Sequence, residues 1–225
     1  MGIRDEVAAL KRERTITAAV ALFYERGYEN TTLDAVAERL GVTKPFIYAH
    51  FTSKGELLAE ICSRGVAAAL RAMEGALALP GAGPTEKLAE LGRRFVTAVV
   101  ENQKHIAIFA REEKNLASAD FDRIAGMRRD FDRKLAALLA DGAATGEFRV
   151  DDVRLAALAI GGMVAWTYAW YRPDGRLTVP DLAEEMSRLV LAVAHAGPLP
   201  SRVASPLRAS VSRPARATSP RGSRR

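Results

Sequence analysis

Apolar residues recur every three to four positions along nearly the whole chain, and no convincing alternation of apolar and polar residues marks a half-buried strand. The spacing predicts an all-α fold of about nine helices. Ile16, Ala19, Val20 and Phe23 share one face of a first helix over residues 5–26, which Gly27 stops. A second helix ends at Gly41, and a short third covers 44–50. The fourth, 54–79, carries Leu57, Leu58 and Ile61 early and an alanine-rich later half, and the proline-bounded segment 80–84 ends it. The fifth, 85–101, aligns Leu88, Leu91, Phe95 and Val99, and the sixth, 103–114, aligns Ile106, Phe109 and Ala110. After a loop at 115–119, the seventh, 120–144, repeats Phe121, Ile124, Phe131, Leu135 and Leu138. The eighth, 151–171, is apolar on nearly every side, which suits a helix covered both by its own domain and by a second subunit. The ninth, 180–196, aligns Leu182, Met186, Leu189, Val190 and Val193.

Residues 31–54, TTLDAVAERLGVTKPFIYAHFTSK, meet the demands of two short helices crossing steeply. Such a corner needs a small residue at the contact, here Ala37, and a residue tolerant of left-handed backbone at the turn, here Gly41. Val36, Leu40, Val42 and Ile47 fill the angle. Thr31 with Asp34 is expected to cap the first of these helices, Thr43 the second, and Ser53 with Glu56 to form a capping box for the helix that follows. Pro45 falls in a first turn, where its missing N–H costs nothing. Lys44, Phe46, Tyr48 and His50 turn away from Ile47, exposing cations and aromatics together. Duplex DNA offers thymine methyls, sugar edges and phosphates to such a surface. A plain helical corner and a protein-binding use of the same motif are the alternatives.

At 225 residues and 48% hydrophobic content the chain can bury a sizeable core. Its formal charge of +6 is misleading taken globally. Seven of the 33 basic residues lie in 198–225 with no acid, leaving 26 basic against 27 acidic residues and a net charge of −1 elsewhere. That tail, rich in Pro, Ser, Ala and Arg, has the composition of a disordered segment over 197–225, either attracting phosphates non-specifically or merely solvated. Cys62 excludes an internal disulfide, and its helical setting reads as a small buried thiol. The charged first fourteen residues lack the apolar run of a signal peptide, and the longest uncharged run, 155–171, is short for a membrane span. The expectation is a cytoplasmic protein with no membrane partner.

His50, His105 and His195 lack metal-ligand spacing, and no nucleophile constellation or glycine-rich phosphate loop accompanies them. The reading is therefore not an enzyme, with no metal and no cofactor. In the larger part of the chain, Arg128 lands inside the apolar stripe of the seventh helix, where it either pairs with Glu113 or awaits an anionic ligand. Trp166 and Trp170, four apart, form core or a subunit contact, or line an apolar pocket. The small residues Gly161, Gly162, Ala165 and Ala169 would let the eighth and ninth helices of two subunits pair as a four-helix bundle. Two heads related by a two-fold axis read an inverted repeat that one head cannot.

The segment AVALFYERGYENTTLDAVAERLGVTKPFIYAHFTSKGELLAEI resembles the amino-terminal domain of the TetR family of bacterial transcriptional repressors. Phe23, Gly27, Tyr28, Thr32, Ala37, Gly41, Val42, Tyr48, Phe51, Lys54 and Leu58 carry the likeness. The resemblance implies an all-helical homodimer with a three-helix DNA-binding head, 1–53, and a ligand-binding and dimerisation body, 54–196. Thr32, Thr43, Lys44, Pro45, Phe46, Tyr48 and His50 would then face an inverted-repeat operator and Lys54 a phosphate; Pro45 and Phe46 stand where many members carry a small residue. FAREEKNLASADFDRIAGMRRDFDRKLAALLADGAATGEFR and AWTYAWYRPDGRLTVPDLAEEMSRLVLAV are similar to the body of the subgroup controlling fatty-acid and steroid degradation, whose members acyl-coenzyme A thioesters release from DNA. By that likeness Phe109, Arg128, Arg129, Trp166, Trp170 and Arg172 are the ligand-binding candidates. A hydrophobic drug-like effector, or DNA binding with no effector, are the other readings.

Overall fold

In the computed structural model, which describes residues 2–195, every regular element is helical. The order is α1 (Ile3–Arg26), α2 (Leu33–Leu40), α3 (Lys44–Tyr48), α4 (Lys54–Leu77), α5 (Pro84–Glu101), α6 (Gln103–Glu112), a 3₁₀ turn (Glu113–Asn115), α7 (Ser118–Ala144), α8 (Val153–Ala165), α9 (Thr167–Trp170) and α10 (Val179–Ala194). The tail expected over 197–225 lies outside the described residues. The helix expected over 151–171 is an almost continuous rod, α8 and α9, interrupted only at Trp166, whose backbone stays right-handed at φ −62° and ψ −14°. By length and composition alone the stretch Val153–Trp170 is long and apolar enough to cross a membrane.

Two apolar clusters organise the chain. The first joins Ile16, Leu22 and Phe23 of α1, Val36 and Ala37 of α2, Ile47 of α3, and Leu57, Leu58 and Ile61 of α4, and it also takes in Ile108 of α6 and Ile124 of α7. The second joins Leu88, Leu91 and Phe95 of α5 with Phe131 and Leu135 of α7, Ile160 and Val164 of α8, and Met186 and Val190 of α10. Helix α4 belongs to both, contributing Ala72, Met73 and Ala76 to the second. Fully burying Leu57, Leu58 and Ile61 at roughly 1.5–3 kcal/mol each ties its first turns to the head, so α4 cannot shift without carrying the head with it.

Helices α5 and α10 pack along most of their length. Gly92 makes this possible, because a Cβ there would lie 2.9 Å from Ser187 Cα and 3.3 Å from Ser187 N. Phe121, placed in the apolar stripe of α7 by its spacing, is instead 44% exposed, one turn outside the packed face that begins at Ile124.

Candidate functional site

The α2–α3 corner is built by local chemistry. Thr32, not Thr31, is the N-cap of α2, its hydroxyl accepting from Ala35 N at 3.1 Å. Thr31 is buried one residue earlier and donates to Gly27 O at 2.9 Å, so it ties the α1–α2 loop together. Gly41 adopts φ 65° and ψ 35°, and the bonds from Gly41 N to Glu38 O and from Val42 N to Ala37 O, both 3.0 Å, close α2 with a Schellman turn that a β-carbon would strain. Thr43 holds the N-cap position of α3 without a side-chain cap bond. Ser53 caps α4 by accepting from Glu56 N at 3.0 Å, while Glu56 reaches one residue further back than a capping box requires, to Thr52 N at 2.8 Å and Thr52 Oγ1 at 2.7 Å.

Ile47 anchors α3, and the opposite side carries the expected surface. Tyr48 is 52% exposed, and Thr32, Thr43, Lys44 and Pro45 are also exposed. Phe46 is half-buried under Lys11 Nζ, 5.5 Å from its ring centre, and stacks edge-on against His50 at 5.7 Å. His50 lies in the turn after α3, which ends at Tyr48. Lys44 pairs with Asp34 at 2.5 Å; both are exposed, so a phosphate can take the place of Asp34 at small cost. Lys54 is engaged differently, donating to Tyr28 O at 2.9 Å with its ammonium 4.1 Å from the Tyr28 ring centre, which fixes the start of α4 against the α1–α2 loop. An ammonium has three donors, so this bond to Tyr28 O leaves two of them uncommitted.

Ionic contacts that no periodicity announces join head and body. Arg12 of α1 reaches Glu60 of α4 at 3.0 Å, and Arg64 of α4 reaches Glu13 at 2.6 Å and Glu60 at 3.1 Å. The Arg12 guanidinium is the main reason Glu60 is held below its ordinary pKa. Half-buried His105 beside this network is pushed down by burial and then by Arg64. From α6, Arg111 donates to Tyr24 O at 3.2 Å, and Glu112 accepts from Tyr28 N at 3.3 Å.

Behind this seam lies a cavity of about 470 Å³ between α4, α5, α6, α7 and α8. Its wall is mostly apolar, with Val66 and Ala69 of α4, Phe95 of α5 and Phe131 of α7 among its members. Of the ligand candidates it takes in Phe109 and Arg128; Arg129, Trp166, Trp170 and Arg172 are not in its wall. Arg128 is exposed, lies 5.7 Å from the Phe109 ring centre, and makes no ion pair with Glu113, although both border the cavity. The apolar stripe of α7 drifts past Arg128, so its charge is never buried and needs no acid. Trp166 is 61% exposed and Trp170 also points outward, because Ile160, Val164, Thr167 and Tyr171 occupy the inner side of the α8–α9 rod. Arg172 bonds its own helix end, donating to Tyr171 O at 3.2 Å. Cys62 also borders the cavity, its thiol pushed up to about 12 chiefly by burial. Sequence reasoning missed Asp132 and Tyr168 in this wall, the only signal being that Asp132 follows Arg128 by one helical turn.

The family described as bacterial regulatory proteins, tetR family, matches residues 16–61, and the tetracyclin repressor-like C-terminal domain matches residues 81–194. The HTH-type transcriptional repressor KstR2 of Mycobacterium tuberculosis (strain ATCC 25618 / H37Rv) is 30% identical over 183 residues, 80% of this chain and 91% of that one. Among solved structures, the TetR family regulator PfmR of Thermus thermophilus superposes with a TM-score of 0.73 at 32% identity, covering 79% of this chain and 97% of its own. AibR, solved in complex with isovaleryl coenzyme A and operator DNA, superposes with a TM-score of 0.70 at 26% identity over 80% of this chain and 98% of its own.

Proposed function

The chain belongs to the tetR family of bacterial regulatory proteins and is a transcriptional repressor of that type, and from this premise we propose that it binds an inverted-repeat operator as a homodimer and is released by an acyl-coenzyme A thioester. Its relatives are transcriptional regulators, and no catalytic family is indicated. The proposed division of labour is a DNA-reading head over 1–53, an effector and dimer body over 54–196, and a basic tail over 197–225. In the head, α3 enters the major groove with Tyr48 and Thr43 toward base edges and Lys44 toward a phosphate, supported by Thr32, Pro45, Phe46, His50 and Lys54.

The observation that carries the effector reading is the cavity itself. Its apolar wall includes Val66 and Ala69 of α4, on the same helix whose Leu57, Leu58 and Ile61 are locked into the head. An acyl group filling the cavity shifts α4, the head follows, and the spacing of the two heads departs from that of the operator half-sites. A thioester preferring the wide-spaced state by about 2.7 to 4.1 kcal/mol lowers operator affinity by at most about 10²- to 10³-fold. The likeness to AibR, solved with isovaleryl coenzyme A and operator DNA, supports this class of effector.

Pairing of α8 and α10 with a second copy accounts for the outward apolar side chains Leu155, Trp166, Trp170 and Leu189. In this reading the apolar rod Val153–Trp170 faces a partner subunit rather than lipid, and the protein works in the cytoplasm. Arg128, exposed at the edge of the cavity beside Phe109, is the cation this reading offers to the coenzyme phosphates. Light scattering at micromolar concentration is expected to give a dimer mass; a monomer would remove the bundle. Operator fluorescence anisotropy is expected to show release by acyl-coenzyme A but not by the matching free acid, and equal release by both would defeat the thioester reading. Tyr48→Ala is expected to weaken operator binding by about 1–3 kcal/mol while leaving scrambled DNA almost unaffected.

A further inference from the structure

Three side chains that carry charge at neutral pH border the cavity: Glu113, Arg128 and Asp132. Glu113 and Arg128 are exposed and remain hydrated, whereas Asp132 is half-buried. Its Oδ1 lies 3.9 Å from the position a β-carbon on Gly161 would take, so the carboxylate faces bare backbone of α8 across the cavity wall. Among the described residues no side chain or backbone N–H donates to it. Burial raises the pKa of Asp132, and the field of Arg128 one turn earlier lowers it, so the carboxylate already has a compensating cation nearby. What it lacks is a hydrogen-bond donor. Water meets this half-buried acceptor while the space in front of it, the proposed effector cavity, is open, and filling that cavity takes the water away, which is costly unless a donor replaces it.

Resting on the effector reading of this cavity, we propose that Asp132 accepts a hydrogen bond from a hydroxyl on the buried part of the effector, so that the acyl group sensed is a hydroxylated one rather than a plain hydrocarbon. Plain apolar groups fill the cavity but leave the carboxylate unsatisfied and stripped of water. The hydroxylated group replaces that lost water with a charge-assisted bond, worth about 10- to 100-fold in affinity. The two glycines opposite, Gly161 and Gly162, leave room for it, since neither carries a side chain into the space.

The test uses the full chain and two matched series in calorimetric or fluorophore-displacement titrations. The first is octanoyl-, 3-hydroxyoctanoyl- and 8-hydroxyoctanoyl-coenzyme A; the second is 1-octanol, its donorless isomer heptyl methyl ether, and octylammonium. The expectation is that at least one hydroxylated thioester binds 10-fold or more tighter than octanoyl-coenzyme A, that octanol outbinds the ether, and that Asp132→Leu abolishes both preferences. Asp132→Asn, which keeps an acceptor oxygen but no charge, is expected to retain a preference of only a few-fold, and it carries the comparison should Asp132→Leu fail to fold. If no thioester binds while octanol still outbinds the ether in the wild type alone, the thioester reading fails and the role of Asp132 stands. Octanol and ether binding alike, a preference that survives Asp132→Leu, or octylammonium binding far more tightly than octanol would each overturn the proposal, the last by showing that the site wants a counter-ion.

Discussion

Replacing Gly92 with alanine tests the close crossing of α5 and α10, on which the inner wall of the body depends. In an ordinary helix interior the change stabilises by about 1 kcal/mol, because glycine loses more backbone freedom on folding than alanine. Here the new β-carbon would lie 2.9 Å from Ser187 Cα, 3.3 Å from Ser187 N and 3.4 Å from Met186 O, all backbone atoms that cannot rotate aside. Overpacking of this kind costs about 1–3 kcal/mol, so the net effect is a destabilisation of about 0–2 kcal/mol. Gly126, inside α7, supplies the control, since a β-carbon there meets only the flexible end of Arg129 at 3.8 Å and receives the full helical gain of about 1 kcal/mol. The two variants therefore differ by about 1–3 kcal/mol, a gap of roughly 2–12 °C in Tm for a chain of this size. Thermal and urea unfolding at one fixed protein concentration measure it, because self-association shifts both. If Gly92→Ala proves as stable as Gly126→Ala, α5 and α10 do not cross at backbone contact distance at Gly92.

Cys62, with its thiol pushed up to about 12, is expected to react with iodoacetamide at pH 8 about 10³-fold more slowly than a free thiol, and rapid labelling of the native protein would contradict its burial. Glu60 has its folded pKa depressed by Arg12, so the stability it contributes is present above its unfolded pKa and lost as pH falls through the folded one. Glu60→Gln is thus expected to be less stable than wild type near neutral pH, with the gap in urea midpoints closing in the acid range below pH ~4; a gap independent of pH would point to packing instead. Thr167 is fully buried and its hydroxyl has no hydrogen-bond partner among the described residues, so Thr167→Val is expected to leave stability unchanged or raise it by about 1 kcal/mol. A loss of 1 kcal/mol or more in urea unfolding would mean that this hydroxyl has a partner.

The order and nature of the helices were legible in the sequence because each rests on interactions within a few residues. Apolar periodicity marks the inner faces, Gly27 and Gly41 stop α1 and α2 with positive φ, and Ser53 caps α4. The surface of α3 was equally legible, since a helix anchored by Ile47 leaves only one side for Lys44 and Tyr48. Where two local solutions compete, the sequence was ambiguous: adjacent threonines both suit a cap, and only the path of the α1–α2 loop makes Thr31 a buried tie and Thr32 the cap.

What tertiary structure alone decided is which side chains from distant segments meet. Arg128 and Glu113 look like partners by type, yet the exposure of Arg128 lets water satisfy its charge, while Asp132 is brought to face Gly161 and the cavity. Trp166 and Trp170 share a face that spacing identifies, but whether that face points inward or outward depends on how the whole α8–α9 rod is rolled against α5 and α7. Periodicity fixes positions relative to one helix axis. The azimuth of that axis against its neighbours, and so the composition of any wall between them, is set by packing across the whole body.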